Sequence, residues 1–250
     1  QQQLDELADA DDYTPRENVD HLRAAQAAFG YTHDQLSHLI EPMAKEGKDP
    51  VGSMGDDTPL SVLSDFNRPL FTYFKQLFAQ VTNPPLDYIR EELVTSLESR
   101  LGAQRNLLDE TPEHARQLVL DSPVLTDAQT ASIKSLGEDG DSMSTTIVDI
   151  TYDPERSLEA AVERVRDDAV DAIEAGADVV VLSDRNLGPD RVAVPSLLAT
   201  GAVHHCLVRN GHRNHAGLVV ESGDPREVHH VATLVGYGAD AVNPYLAYQT

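Results

Sequence analysis

The chain has 250 residues, 40% of them hydrophobic, with no tryptophan, five phenylalanines, one cysteine and a formal charge of −23 at pH 7. That length suits one large domain or a domain with a helical annex, and the charge repels a phosphate backbone at long range, which weighs against nucleic acid as a partner. A single cysteine, Cys206, rules out an intrachain disulfide and any iron–sulfur or cysteine-rich zinc site built from these residues.

Residues 1–17 are acidic and weakly patterned, as expected of a linker or the tail of a preceding domain. A helix is predicted over 18–30, where Val19, Leu22, Ala25 and Phe29 recur at helical spacing. A second opens at Thr32 and carries Leu36, Leu39 and Ile40 before Pro42. Residues 47–59 show no period; Gly52-Ser-Met-Gly-Asp-Asp-Thr-Pro59 is a cluster of turn formers. The stripe Leu70, Phe71, Phe74, Leu77, Phe78 and Val81 predicts a helix over 69–81, stopped by Pro84 and Pro85. Ile89, Leu93 and Leu97 predict another through Leu101, and Thr111-Pro-Glu-His114 opens a short one. Residues 18–136 thus read as a helical and irregular region, and 137–145 as an acidic, turn-rich connection.

From 146 to 250 the pattern changes to strand and helix alternation. Apolar runs at 147–151, 178–183, 216–223 and 240–244 each end in polar turn residues. Between them lie predicted helices over 158–175, closed by Gly176, and over 195–207. Asp224-Pro-Arg-Glu227 has the cap, first-turn proline and capping-box acid of a third. The expected fold class is α/β, with parallel strand–helix repeats resembling a partial or incomplete TIM-like barrel, preceded by the helical and irregular N-terminal region. The last repeat breaks off at Thr250, so the chain is expected to run on. No apolar run approaches bilayer length and Gln1 heads no signal-like segment; a soluble, reducing, cytoplasmic setting is expected.

The chemistry-bearing residues are few. His204 with His205, and His229 with His230, are adjacent on helices and point about 100° apart, so neither pair chelates one metal from a single face. Cys206 lies in an apolar helix without an activating turn and reads as buried filler. Asp184, Arg185 and Asn186 follow a buried strand, as Glu221 and Ser222 follow another, which puts them on the ligand-bearing rim of a parallel sheet. There Asp184 and Arg185 could form an ion pair orienting Asn186, either for a small polar substrate or as a turn network between loops. Asn243-Pro-Tyr245 adds an amide and a phenol at a third strand end. Gly55, Asp56, Asp57 and Thr58 lack the lysine and glycine spacing of a phosphate loop and read as a hydrogen-bonded turn.

Pro50-Val-Gly-Ser-Met-Gly-Asp-Asp-Thr-Pro59, Tyr73-Phe-Lys-Gln-Leu-Phe-Ala-Gln-Val-Thr-Asn-Pro-Pro85, Leu182-Ser-Asp-Arg-Asn186 and Gly236-Tyr-Gly-Ala-Asp-Ala-Val-Asn-Pro-Tyr245 carry more than their chemistry. From about residue 18 onward the chain resembles the central domain of the large subunit of glutamate synthase. The resemblance implies a noncatalytic part that binds no cofactor itself. It would join a glutamine amidotransferase domain to a domain carrying FMN and an iron–sulfur cluster, with a small subunit in the full enzyme. The parent would make two L-glutamate from L-glutamine and 2-oxoglutarate with a reduced donor, taken as NADPH. The central domain would help wall an ammonia passage, with Met54 and Asn83 on the passage side and Gln80 and Thr82 nearby. Gly55, Asp56, Asp57, Thr58, Asp184, Arg185, Asn186, Glu221 and Asn243 would then be turn or interface residues. The rival expectation is a self-contained α/β enzyme working at Asp184, Arg185, Asn186 and Glu221.

Overall fold

The computed structural model describes residues 2–3, 19–48, 58–75, 81, 84–137 and 143–250. The strands are β1 (Gln2–Gln3), β2 (Ser99–Leu101), β3 (Leu118–Leu120), β4 (Thr145–Asp149), β5 (Thr151–Tyr152), β6 (Val179–Ser183), β7 (Val192–Ala193), β8 (Gly217–Glu221) and β9 (Ala241–Asn243). The α-helices are α1 (Val19–Ala28), α2 (His33–Gln35), α3 (Glu41–Glu46), α4 (Glu91–Val94), α5 (Asp127–Lys134), α6 (Leu158–Glu174), α7 (Ser196–Arg209), α8 (Val228–Gly236) and α9 (Tyr245–Gln249).

Strands β4, β6, β8 and β9 form a parallel sheet in that order, so each expected C-terminal strand exists and neighbours the next in sequence. The central strands β6 and β8 are buried along their whole length, which is why they read as continuous apolar runs and not as alternation. Their side chains still alternate between two cores. Val180, Leu182 and Leu218 pack with Ala161, Val165 and Ala169 of α6 and Val203 and Leu207 of α7. Val179, Val181, Val219 and Ala241 face the other way, onto Leu101, Leu118, Leu120 and Ile133.

That second face decides how far the sheet goes towards a barrel. In a closed barrel it would look onto more parallel strands. Here it is filled by the antiparallel β2–β3 pair and by α5, and the described strands do not close a ring. Gly217, at the start of β8, makes the close approach possible: a Cβ there would lie 2.9 Å from the Gly102 amide nitrogen and 3.2 Å from Leu101 Cα.

Helix ends follow local chemistry. Ser157 caps α6 by accepting from the Ala160 N–H, and Gly176 ends it at φ 99. Asp224 caps a different helix from the one expected. Its Oδ2 accepts from the Ser196 N–H (3.3 Å) and hydroxyl (3.0 Å) at the start of α7. Glu227 is therefore the residue before α8, which has no side-chain cap.

Other expectations in the first half are corrected. The helix that opens at Thr32 runs on past Pro42: a π-helical turn at Leu36–Ile40 leads directly into α3, whose first turn accommodates a residue without an N–H. Within the predicted 69–81 helix, the described part is only a 3-10 turn at Leu70–Tyr73, followed by extended Phe74. The reason is tertiary. The Phe71 carbonyl accepts from His229 Nε2 (2.9 Å) as well as from the Phe74 N–H (3.1 Å), and the Phe71 ring stacks on His230 at 4.3 Å, so contacts to α8 hold this turn in place. The predicted helix reaching Leu101 shrinks to α4, and residues 99–101 become β2. Ile89, Leu93 and Leu97 remain exposed, and four helical residues without a packed face lie far below the length that is stable alone. The helical and irregular reading of 18–136 also overlooked β2, β3 and α5.

Replacing Gly217 with valine forces β8 away from the β2 end. Thermal unfolding of Gly217→Val should show a loss of about 1–3 kcal/mol, whereas Gly211→Val, where nothing crowds the added carbon, should show mainly the backbone cost of a positive φ.

Candidate functional site

The last residues of the four parallel strands stand in register: Asp149 opposite Ser183, Ser183 opposite Glu221, and Glu221 opposite Asn243. One polar row thus crosses the sheet at the end where parallel α/β folds place ligands. Its centre is Glu221, 3% exposed. Its carboxylate accepts from the Ser183 hydroxyl (2.6 Å), Arg185 Nε (2.9 Å) and Lys134 Nζ (3.0 Å). Burial raises the Glu221 pKa, but the Ser183 hydroxyl and the Arg185 and Lys134 charges outweigh it and hold the group below its ordinary value.

The next layer outward is built on Asp184, which is fully buried. It accepts from the Ser222 hydroxyl (2.5 Å), the Gly223 N–H (3.2 Å) and the Tyr245 hydroxyl (2.8 Å). Here burial wins over those donors and lifts the carboxyl from 3.8 to about 7. The expected Asp184–Arg185 pair is not made. Arg185 instead turns to Glu221 and to Asp127 (3.2 Å), with its guanidinium 3.8 Å from the centroid of the Tyr245 ring.

The flanks of the row are tied in the same way. Asn186 donates to Asp149 (3.0 Å), and Asp149 also accepts from Arg191 (2.8 Å) and from the Thr151 N–H and hydroxyl (2.7 Å each). Asn243 donates to the Leu125 carbonyl and to Asp127, both at 3.0 Å. The rim is covered as well: the Phe29 ring lies directly on Gly223, and the Tyr31 hydroxyl donates to the Gly223 carbonyl (3.1 Å). Asp184, Arg185, Asn186, Glu221 and Asn243 are therefore brought into one network. Met54, Gly55, Asp56, Asp57, Gln80, Thr82 and Asn83 lie outside the described residues. Thr58 is exposed, and its carbonyl accepts from Arg68 (2.5 Å).

Sequence reasoning missed Lys134, Asp127 and Arg191. The first two had a legible signal: Thr126 and Gln129 form a capping box that starts α5, whose ends carry Asp127 and Lys134 to the rim. Arg191 had none, because its role depends on the β5–β7 pairing. Among the described residues no group of three or more His, Cys, Asp and Glu is arranged to hold a metal ion. His229 and His230 serve the Phe71 contact, His204 accepts from Arg213 Nε (3.1 Å), and Cys206 is buried within α7.

The fold and rim define a parallel α/β domain whose strand-end carboxylates are held by internal donors. Residues 24–250 match the family model described as the glutamate synthase central domain. The chain is 45% identical over 234 residues to the glutamate synthase (NADPH) large chain of Bacillus subtilis, covering 94% of this chain and 15% of that one. It is 46% identical to the glutamate synthase (NADH) of Schizosaccharomyces pombe over 88% of this chain and 11% of that one. It is also 44% identical to the chloroplastic ferredoxin-dependent glutamate synthase of Oryza sativa, over 90% and 14%. The chain belongs to the glutamate synthase central domain family, and it spans only 11–15% of the length of these relatives.

Two outcomes follow for the rim. Glu221→Gln leaves Arg185 and Lys134 facing a neutral partner, and should cost about 2–4 kcal/mol in thermal unfolding, against about 1 kcal/mol for Ser183→Ala, which removes one hydrogen bond. For Asp184, the folded state holds its proton more tightly than the unfolded chain, so its contribution is complete below pH 3.8 and is lost as pH rises towards about 7. Asp184→Asn lacks that loss. The stability difference between parent and variant should therefore move in the variant's favour between pH 5 and pH 7, by at most about 1.4 kcal/mol per pH unit; a difference that moves in the parent's favour would contradict the assignment.

Proposed function

We propose that this chain is the central scaffold of a glutamate synthase, joining the amidotransferase and FMN-binding domains of one polypeptide and helping wall an ammonia passage between them. The sheet would be a barrel-like sector whose rim ties the domain together. The parent would make two L-glutamate from L-glutamine and 2-oxoglutarate in the cytoplasm, with FMN and iron–sulfur clusters bound outside this chain and a small subunit as further partner. Relatives named for NADPH, NADH and ferredoxin match almost equally, at 45%, 46% and 44% identity.

The observation that carries the scaffold reading is the number of exposed apolar side chains among the described residues between 60 and 108. Val62 and Leu63 are 99% and 94% exposed, Leu107 and Leu108 92% and 90%, and Tyr88, Ile89, Leu93 and Leu97 are exposed beside them in sequence. Exposed apolar side chains in such number mark surface meant to be covered, and a domain embedded between two others supplies that cover. The rival reading, a self-contained enzyme at Asp184, Arg185, Asn186 and Glu221, has less support, because the two acids are buried and already hold their donors.

A narrow wall of Met, Thr and Asn suits neutral ammonia better than a row of carboxylates, which would favour trapping ammonium. In the intact polypeptide, Asn83→Leu should leave glutamine hydrolysis running while the glutamate formed per glutamine hydrolysed falls. Continued one-to-one coupling in that variant would remove Asn83 from the passage.

A further inference from the structure

Between α1, the turn carrying Arg185 to Val192, and α9, the described residues enclose a cleft of about 410 Å³. That is within the range of roughly 300–1,000 Å³ typical of small-molecule sites, and it lies at the strand ends where such sites concentrate. Ala24, Ala25 and Ala28 of α1 and Val192 give the cleft an apolar lining, and His21 and Gln249 are the polar side chains on it from α1 and α9. Arg185 and Arg191 line the cleft as well.

Both guanidiniums are anchored in the rim network. Arg185 gives Nε to Glu221 and Nη2 to Asp127; Arg191 gives Nε to the Thr151 hydroxyl (2.7 Å) and Nη2 to Asp149 and the Thr151 carbonyl (3.0 Å). Nη1 of each donates no hydrogen bond among the described residues. Each arginine is thus held rigidly with one set of donors unspent, and a fixed guanidinium loses little freedom on binding a planar anion.

Charge restricts that anion. Arg185, Arg191 and Lys134 are balanced by Glu221, Asp127 and Asp149. With those charges already balanced, every negative charge brought in is itself uncompensated, so a phosphate dianion costs more than a carboxylate, which adds one charge and still pairs bidentately with a guanidinium.

We propose that this cleft binds a small monocarboxylate with an apolar body, its carboxylate on Arg185 and Arg191 and its body against Ala24, Ala25, Ala28 and Val192. The site goes beyond the scaffold reading and does not depend on the ammonia passage, whose candidate residues are elsewhere in the sequence.

The test is calorimetric titration of the intact polypeptide with phenylacetate, with 2-phenylethanol as its uncharged counterpart and inorganic phosphate as a second control. Phenylacetate should bind at least about tenfold more tightly than either control. Arg191→Met should weaken it by about tenfold or more, and Ala25→Phe, which fills the cleft from α1 and replaces neither arginine, should abolish it. Because Arg191 also holds the β5–β7 pair, the α1 variant keeps the test valid if Arg191→Met misfolds. Carboxylate sites elsewhere in the polypeptide would be untouched by Ala25→Phe, so phenylacetate binding that survives in that variant overturns the proposal. Absence of binding, or phosphate binding as tightly as phenylacetate, overturns it too.

Discussion

A carboxylate at the end of a buried strand is costly unless every lone pair finds a donor, and Glu221 is such a group. Its three donors come from different places: Ser183 from the adjacent strand, Arg185 from the turn after that strand, and Lys134 from the end of α5 on the far face. The compensation exists only when β6 and β8 are in their observed register and α5 is docked. A slip by one residue would send Ser183 to the opposite face and leave the charge buried and under-satisfied. The apolar runs of β6 and β8 supply burial without specifying alignment, and the polar row at their ends supplies the alignment.

Asp184 does the same work one layer outward. By collecting Ser222, Gly223 and Tyr245 it fastens the turn after β8 and the start of α9 to the turn after β6. Asp149 and Asn243 extend the ties to the two edge strands. This polar rim resembles an active site in composition and position. Its chemistry is different, because the acids are saturated by internal donors, and Phe29 and Tyr31 cover the Gly223 turn from outside. Position at a strand end is a weak argument for catalysis when the groups there already satisfy one another.

The strand–helix half of the molecule was legible in the sequence because each cue there was local. Leu158, Ala161, Val165, Ala169 and Ile173 keep a helical period, and Gly176 and the Val-rich runs punctuate it. The first half was not legible for the opposite reason. Phe71 lies on a helical stripe but is claimed by His229 and His230, some 158 residues later in the chain. Leu101 ends the expected helix as a strand residue because its place is against β8, where Gly217 makes room. The rim residues were found as types at strand ends, but their partners were not. Asp184 and Arg185, adjacent in the turn after β6, take different polar partners, Ser222 and Gly223 for the first and Glu221 and Asp127 for the second, which a linear reading does not show.

The account rests on Glu221 and Arg185 acting as a structural pair, and a double-mutant cycle tests that most directly. Arg185→Met, Glu221→Leu and the double variant would be compared by thermal unfolding. A buried pair predicts that each single variant strands its partner's charge and that the double loses less than the sum of the two, a coupling of at least about 1.5 kcal/mol, with Lys134 and Asp127 still short of a partner in the double. Losses that simply add would mean that the two side chains are independent, and would contradict the account.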